Sequence, residues 1–314
     1  MSSPDRRIEI VDLASNTSAR PDWQSRHMRK VLIAAILLAT YFALILTMPV
    51  ADRLILFPTT AHIDAVGAQP KPIPFEDGQL EVWIAKSQTA QRIGRADIYI
   101  LRFYGNADRA DRWVALEAEM WNGRAVEIWG MNYPGFGGST GPARLRRIAP
   151  AALAAFDALK KEAGERPVVL FGASLGAAAA LHVAAHRPVA GLILHNPPAL
   201  RQLILQQFGW WNLWLLAGPI AAQIPNELDS LANSRTIQAP AIFLLAEKDE
   251  IVPPRFQKMV VDAYVGEKKI IQIRNGHHNT PIGSTAITEL HQALDWLLPR
   301  RTTSPVSDSR HDSQ

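Results

Sequence analysis

Residues 172–176 read GASLG, after an apolar run (VVLF, 168–171) and before an alanine-rich stretch that reaches His186. A sharp strand-to-helix turn strains its central residue, and glycines at 172 and 176 keep the flanking positions free of side chains. Such a turn lifts the Ser174 hydroxyl above a sheet edge and aims the unpaired N–H groups of the next helix at the same point. A serine hydroxyl is a poor nucleophile at neutral pH. It needs a base, and the base needs a carboxylate to orient it.

Both partners are on offer later in the chain, in the order serine, acid, histidine. The stretch LLAEKDEIVPP supplies Asp249, with Glu247 and Glu250 as rivals, and NGHHNTP supplies His277 or His278. Each follows an apolar run that reads as a strand, and parallel sheets collect ligands beyond the carboxyl ends of their strands. A second oxyanion donor belongs in a loop after an earlier strand. The sequence FYGNA (103–107) fits: Gly105 allows close backbone approach, and the N–H of Asn106 would join that of Leu175.

The elements that must position these groups alternate. Strand-like runs fall at 80–87, 96–105, 125–135, 166–172, 189–198, 239–249 and 268–276, with helical patterns at 109–121, 150–164, 174–186, 254–264 and 285–298. This predicts an α/β domain over 75–300, built on a mostly parallel central sheet with helices on both faces. About forty residues, 199–238, interrupt the alternation and read as a lid insertion over the site. Within it, Trp210, Trp211 and Trp214 cluster with leucines. That cluster suits lid packing, an acyl pocket or a membrane interface.

Ahead of the domain, VLIAAILLATYFALILTMPV (31–50) carries no charge and is long enough to cross a bilayer. Arg20, Arg26, Arg29 and Lys30 precede it, and only Arg53 lies in the twenty residues after it. The expectation is an uncleaved single-pass anchor at 31–50 after a polar cytoplasmic leader at 1–30. The catalytic domain would then lie on the far, periplasmic or extracytoplasmic, side. Residues 51–74, with prolines at 58, 70, 72 and 74, read as a linker, and 301–314 as a disordered tail.

Composition narrows the alternatives. With 48% hydrophobic residues the chain can bury a large core, and its net charge of +4 is not gathered into a basic block, so nucleic acid is not an expected partner. The absence of cysteine excludes disulfides, thiolate metal sites and cysteine nucleophiles. His182 and His186 have the one-turn spacing of zinc-binding helices but lack the accompanying glutamate, and read as structural. The glycine-rich NYPGFGGSTG (132–141) lacks the ending of a nucleotide-binding loop and reads as a tight turn near the site.

Taken together, these stretches resemble the α/β-hydrolase superfamily, and more narrowly its membrane-anchored serine hydrolases with an H-G-N-A oxyanion loop. The matching segments are 103–107, 132–141, 172–176, 248–253 and 278–280, in the expected order. The resemblance implies the α/β-hydrolase fold, with Ser174 as nucleophile, Asp249 as acid, His278 as base in preference to His277, and Asn106 with Leu175 at the oxyanion hole. It implies no cofactor and no metal. Two departures stand out: Tyr104 replaces the histidine of the oxyanion loop, and Thr280 replaces the aspartate after His-Asn. The expected reaction is hydrolysis of an acyl ester, with an apolar or lipid-like substrate and a membrane attachment through the N-terminal helix. A catalytically inactive scaffold of the same fold, a peptidase and a thioesterase are the other readings of these residues. Oligomeric state is not encoded in any of them.

Overall fold

The computed structural model describes residues 22–298. The tail at 301–314 and the first 21 residues of the leader lie outside them. The chain divides into two units, residues 1–47 and 48–314.

Among the described residues of the first unit, helix α1 (Asp22–Thr47) begins within the polar leader and runs through the apolar stretch. Its segment Arg26–Thr47 is 22 residues long and contains an 18-residue window of mean hydropathy 2.2; at about 33 Å it is long enough to cross a bilayer. The helix ends three residues before the expected boundary at 50. Val50 instead opens a second short helix, α2 (Val50–Ile55), which belongs to the second unit.

The second unit is built on an eight-stranded sheet in the order β1-β2-β4-β3-β5-β6-β7-β8. The strands are β1 (Gln69–Phe75), β2 (Gly78–Lys86), β3 (Ile98–Phe103), β4 (Val126–Met131), β5 (Val168–Ala173), β6 (Gly191–His195), β7 (Ala241–Ala246) and β8 (Lys268–Ile273). β1 and β2 run antiparallel, and β4, β3, β5, β6, β7 and β8 pair in parallel. The stretch read as a linker therefore contains a strand. Pro70, Pro72 and Pro74 occupy alternate positions of β1, which is an edge strand, where a missing N–H on the outer side is tolerated.

Among the described residues the remaining α-helices are α3 (Gln88–Ile93), α4 (Ala110–Glu119), α5 (Leu145–Ala163), α6 (Leu175–His186), α7 (Leu200–Phe208), α8 (Ala217–Ala222), α9 (Ser230–Ser234), α10 (Pro254–Ala263) and α11 (Ser284–Leu297). Strand residues alternate between two cores. Leu101, Phe103, Val168 and Leu170 pack with α5 and α6 on one face, whereas Ile100, Val169 and Phe171 pack with α4 and α11 on the other. Ala177, Ala178, Ala179 and Ala180 are wholly buried, so the alanine run is what lets α6 lie close against the sheet.

α5 starts five residues ahead of the expected position at 150. Its first amide, Leu145 N–H, donates to Asp52 Oδ1 at 2.7 Å, and the Arg144 guanidinium holds the other oxygen of that carboxylate at 3.1 Å. The cap for this helix comes from α2, more than ninety residues earlier, so no local signal marks it.

Candidate active site

Ser174 sits between β5 and α6 with φ 50° and ψ −121°, a backbone conformation rarely adopted by a residue with a side chain. Its flanking glycines are required by space. A Cβ on Gly172 would lie 2.3 Å from the carbonyl oxygen of Gly176, and one on Gly176 would lie 2.2 Å from that of Phe103. The Ser174 amide donates to His195 O at the end of β6, which pins the turn to the neighbouring strand.

The turn carries the hydroxyl to His278. Ser174 Oγ lies 3.2 Å from His278 Nε2, and His278 Nδ1 lies 2.8 Å from Asp249 Oδ2. The ring nitrogen facing the carboxylate is the donor, which leaves Nε2 to accept from the serine. The His278 side chain is 9% exposed and that of Asp249 is fully buried. Asp249 is compensated by four donors. Oδ1 accepts the amides of Ile251 and Val252 at 2.9 and 2.7 Å, and Oδ2 accepts Gln257 Nε2 at 3.0 Å besides His278. A buried carboxylate without such partners would be strongly disfavoured.

The rival groups point elsewhere. His277 turns to the surface and meets Glu250 at 3.1 Å, with both side chains more than half exposed. Glu247 accepts the Asn275 amide. Among the sequence candidates, the structure thus brings Ser174, His278 and Asp249 together and leaves His277, Glu247 and Glu250 outside.

The loop after β3 comes close to Ser174: a Cβ on Gly105 would lie 3.9 Å from the Ser174 Cβ. Asn106 follows in this loop, and Leu175 opens α6. Tyr104, standing where the resembled group has histidine, is buried beneath the loop. Its hydroxyl donates to Glu117 Oε2 at 2.9 Å, and Arg102 closes on the same carboxylate. Burial, with the Glu117 charge beside it, pushes the Tyr104 hydroxyl well above its ordinary range, so it stays a neutral donor. The tight turn read at 132–141 is held by Glu81, which accepts Asn132 Nδ2 at 2.6 Å and the Gly138 amide at 2.9 Å.

Three supports of the site carry no local signal in the sequence. Gln257 on α10 is buried and grips Asp249. Asn196, at φ 47° after β6, accepts the Ala246 amide and donates to the His278 carbonyl at 3.3 Å, tying the histidine loop to the sheet. The strap after α2 grips the oxyanion-side loop. Asn106 Nδ2 donates to Ile55 O at 2.7 Å, and Phe57 N–H donates to Asn106 O at 3.0 Å. Further along, the Arg109 guanidinium binds the carbonyls of Thr59 and Ala61 at 3.1 and 2.6 Å.

His182 and His186 stack with ring centroids 4.2 Å apart, and His186 Nδ1 bonds the His182 carbonyl at 2.8 Å. Burial, and then the neighbouring His186, lower the pKa of His182, which favours its neutral form.

An open, mostly parallel sheet with a strained serine turn after its central strand, and a histidine and an aspartate beyond later strands, is the architecture of the α/β hydrolases, and this chain has that fold. Residues 100–235 match the family model described as alpha/beta hydrolase fold. An uncharacterized protein of Mycobacterium tuberculosis is 27% identical over 180 residues, covering 56% of this chain and 62% of the relative, so the match spans under two thirds of that protein. An uncharacterized membrane protein of Saccharomyces cerevisiae is 27% identical over 210 residues, covering 65% of this chain and 70% of the relative. Among solved structures, the Pyrococcus furiosus esterase Pf2001 superposes with a TM-score of 0.58 at 14% identity, over 78% of this chain and 98% of that one. A monoacylglycerol lipase of Paleococcus ferrophilus gives 0.51 at 20% identity, over 69% and 98%.

Proposed function

We propose that this chain is a membrane-anchored serine hydrolase that cleaves ester-type acyl bonds. The observation that carries this reading is the continuous relay Ser174 Oγ, His278 Nε2, His278 Nδ1, Asp249 Oδ2, with steps of 3.2 and 2.8 Å, starting from a strained serine.

In the proposed reaction Ser174 Oγ attacks the ester carbonyl while His278 Nε2 takes its proton. The carbonyl oxygen becomes an oxyanion held by the N–H groups of Asn106 and Leu175. Asp249 keeps the imidazole in the correct tautomer and stabilises its protonated form. The tetrahedral adduct collapses, the alkoxide leaves with the proton from His278, and Ser174 is acylated. A water then enters, gives its proton to His278 and its oxygen to the acyl carbon, and the acid departs as Ser174 regains its proton.

The substrate is an apolar, lipid-like ester. Support comes from the uncharged stretch 202–226, read as part of a lid, and from the apolar helix α1, read as a single membrane span with the N-terminus cytoplasmic and the hydrolase domain on the opposite side. The test is hydrolysis of a series of soluble and lipid esters by the full chain. Ser174→Ala should lower kcat by about three orders of magnitude or more, and equal rates in the two proteins would refute the reading.

A further inference from the structure

The lid leaves one region of the surface unlike the rest. α7 and α8 form a hairpin whose base is rooted in the domain by Leu203, Ile204, Ala217 and Ile220, all buried. Its tip is turned outward: Trp210 is 68% exposed, Trp211 60%, Leu213 74% and Trp214 50%. Residues 202–226 hold no charged side chain. Within the tip, Trp214 Nε1 donates to Leu205 O at 2.9 Å and Asn212 Nδ2 to Phe208 O at 2.9 Å, so these two side-chain N–H groups bond within the loop while the apolar surface faces out. A soluble surface rarely carries so contiguous an apolar patch without a partner. The exposure also argues against simple lid packing and against a pocket lining.

What covers it follows from the chain's connectivity. Two residues, Met48 and Pro49, separate the end of α1 from the start of α2. α2 packs against α8, and the Ala51 amide donates to Gln223 Oε1, just past α8, at 3.0 Å. The base of the lid hairpin is thus in contact with α2, the first element of the chain after the Met48–Pro49 link. Leu54 and Phe57, on and just after α2, are also more than half exposed. Tryptophan is the residue enriched at the boundary between headgroups and acyl chains, where an apolar ring with one polar edge is best accommodated.

We propose that the lid tip 208–215 docks on the surface of the membrane that α1 enters, as a second point of attachment that holds the lid in the interfacial layer. An ester that stays in the bilayer would then meet the lid without crossing bulk water. This rests on the reading of α1 as a membrane span, and the experiment separates the two.

The chain contains no cysteine, so single labels can be placed at will. The full chain carrying Leu213→Cys, Leu37→Cys or Val265→Cys is labelled with a nitrobenzoxadiazole fluorophore and reconstituted into phosphatidylcholine vesicles with and without doxyl-quencher lipids. Leu37 lies in α1; Val265 is 51% exposed just ahead of β8, at the end of the sheet away from Ser174. The expected result is a blue-shifted emission and strong quenching at positions 37 and 213, with position 265 unquenched. Quenching at 37 with position 213 behaving like 265 overturns the docking alone. An unquenched label at 37 overturns the span and the docking with it. Trp210→Ser combined with Trp211→Ser, both exposed and so compatible with folding, should cut the quenching at Leu213→Cys several-fold. Unchanged quenching in that variant also contradicts the proposal.

Discussion

The side-chain amide of Asn106 donates to the carbonyl of Ile55 across 2.7 Å, so the loop beside Ser174 is clamped by the segment that immediately follows the apolar helix and α2. The Phe57 amide closes the clamp from the other side. In the proposed mechanism this fixes the Asn106 N–H that receives the oxyanion. Asn106→Ala keeps the backbone donor but frees the loop. Its kcat on a soluble ester should fall about 10- to 100-fold with little change in KM. Its unfolding free energy should drop by only about 1 kcal/mol. Steady-state kinetics beside a denaturant titration measure both, and an unaltered kcat would show that the clamp is irrelevant to turnover.

Gln257 shares Asp249 Oδ2 with His278. Gln257→Leu removes one donor from a buried carboxylate and loosens the group that orients the imidazole. Turnover should fall by about tenfold. Gln257→Glu should do worse, because it sets a second carboxyl against Asp249. A kinetic comparison of the two variants checks the order, and a reversed order would contradict the assigned geometry.

The glycines around Ser174 are needed for close approach. Gly172→Ala and Gly176→Ala each drive a methyl group into backbone atoms at 2.3 and 2.2 Å. Each should cost about 3 kcal/mol or more in stability, read from the urea midpoint of the full chain in detergent. Ala173→Gly, at a partly exposed neighbouring position, should cost far less.

His195 gives stability a pH dependence. Burial first, then the Arg102 guanidinium and His278, bring its pKa from 6.5 down to about 3. Between these values the unfolded chain binds a proton that the folded chain does not. Stability is therefore full above pH 6.5 and declines as the pH falls toward 3, with this one group contributing up to about 1.4 kcal/mol per pH unit. His195→Gln should flatten that part of the slope in urea titrations from pH 7 to pH 4. An unchanged slope would mean that His195 is protonated in the folded state.

Much of this arrangement is legible in the sequence because its signals are local. Two glycines around a serine between an apolar run and a helix specify the turn, and the apolar runs before Asp249 and His278 place both at carboxyl ends of strands. What escapes is tertiary. β1 hides among prolines because only its edge position makes them acceptable. The start of α5 is capped by Asp52 from a distant helix. Gln257 and the Ile55–Phe57 strap owe their place at the site to packing, and no spacing along the chain connects them to it. The choice between His277 and His278 also needed the fold, which turns one outward to Glu250 and the other inward to Ser174.

The central claim is that Ser174 is the nucleophile and His278 its base, and covalent labelling tests it most directly. The full chain is treated with a fluorophosphonate probe, and the adduct is mapped by peptide mass spectrometry in wild type, Ser174→Ala, His277→Ala and His278→Ala. The account predicts an adduct on Ser174 in wild type and His277→Ala, strong slowing in His278→Ala, and none in Ser174→Ala. An adduct that persists in Ser174→Ala, or labelling abolished by His277→Ala and kept by His278→Ala, would contradict it.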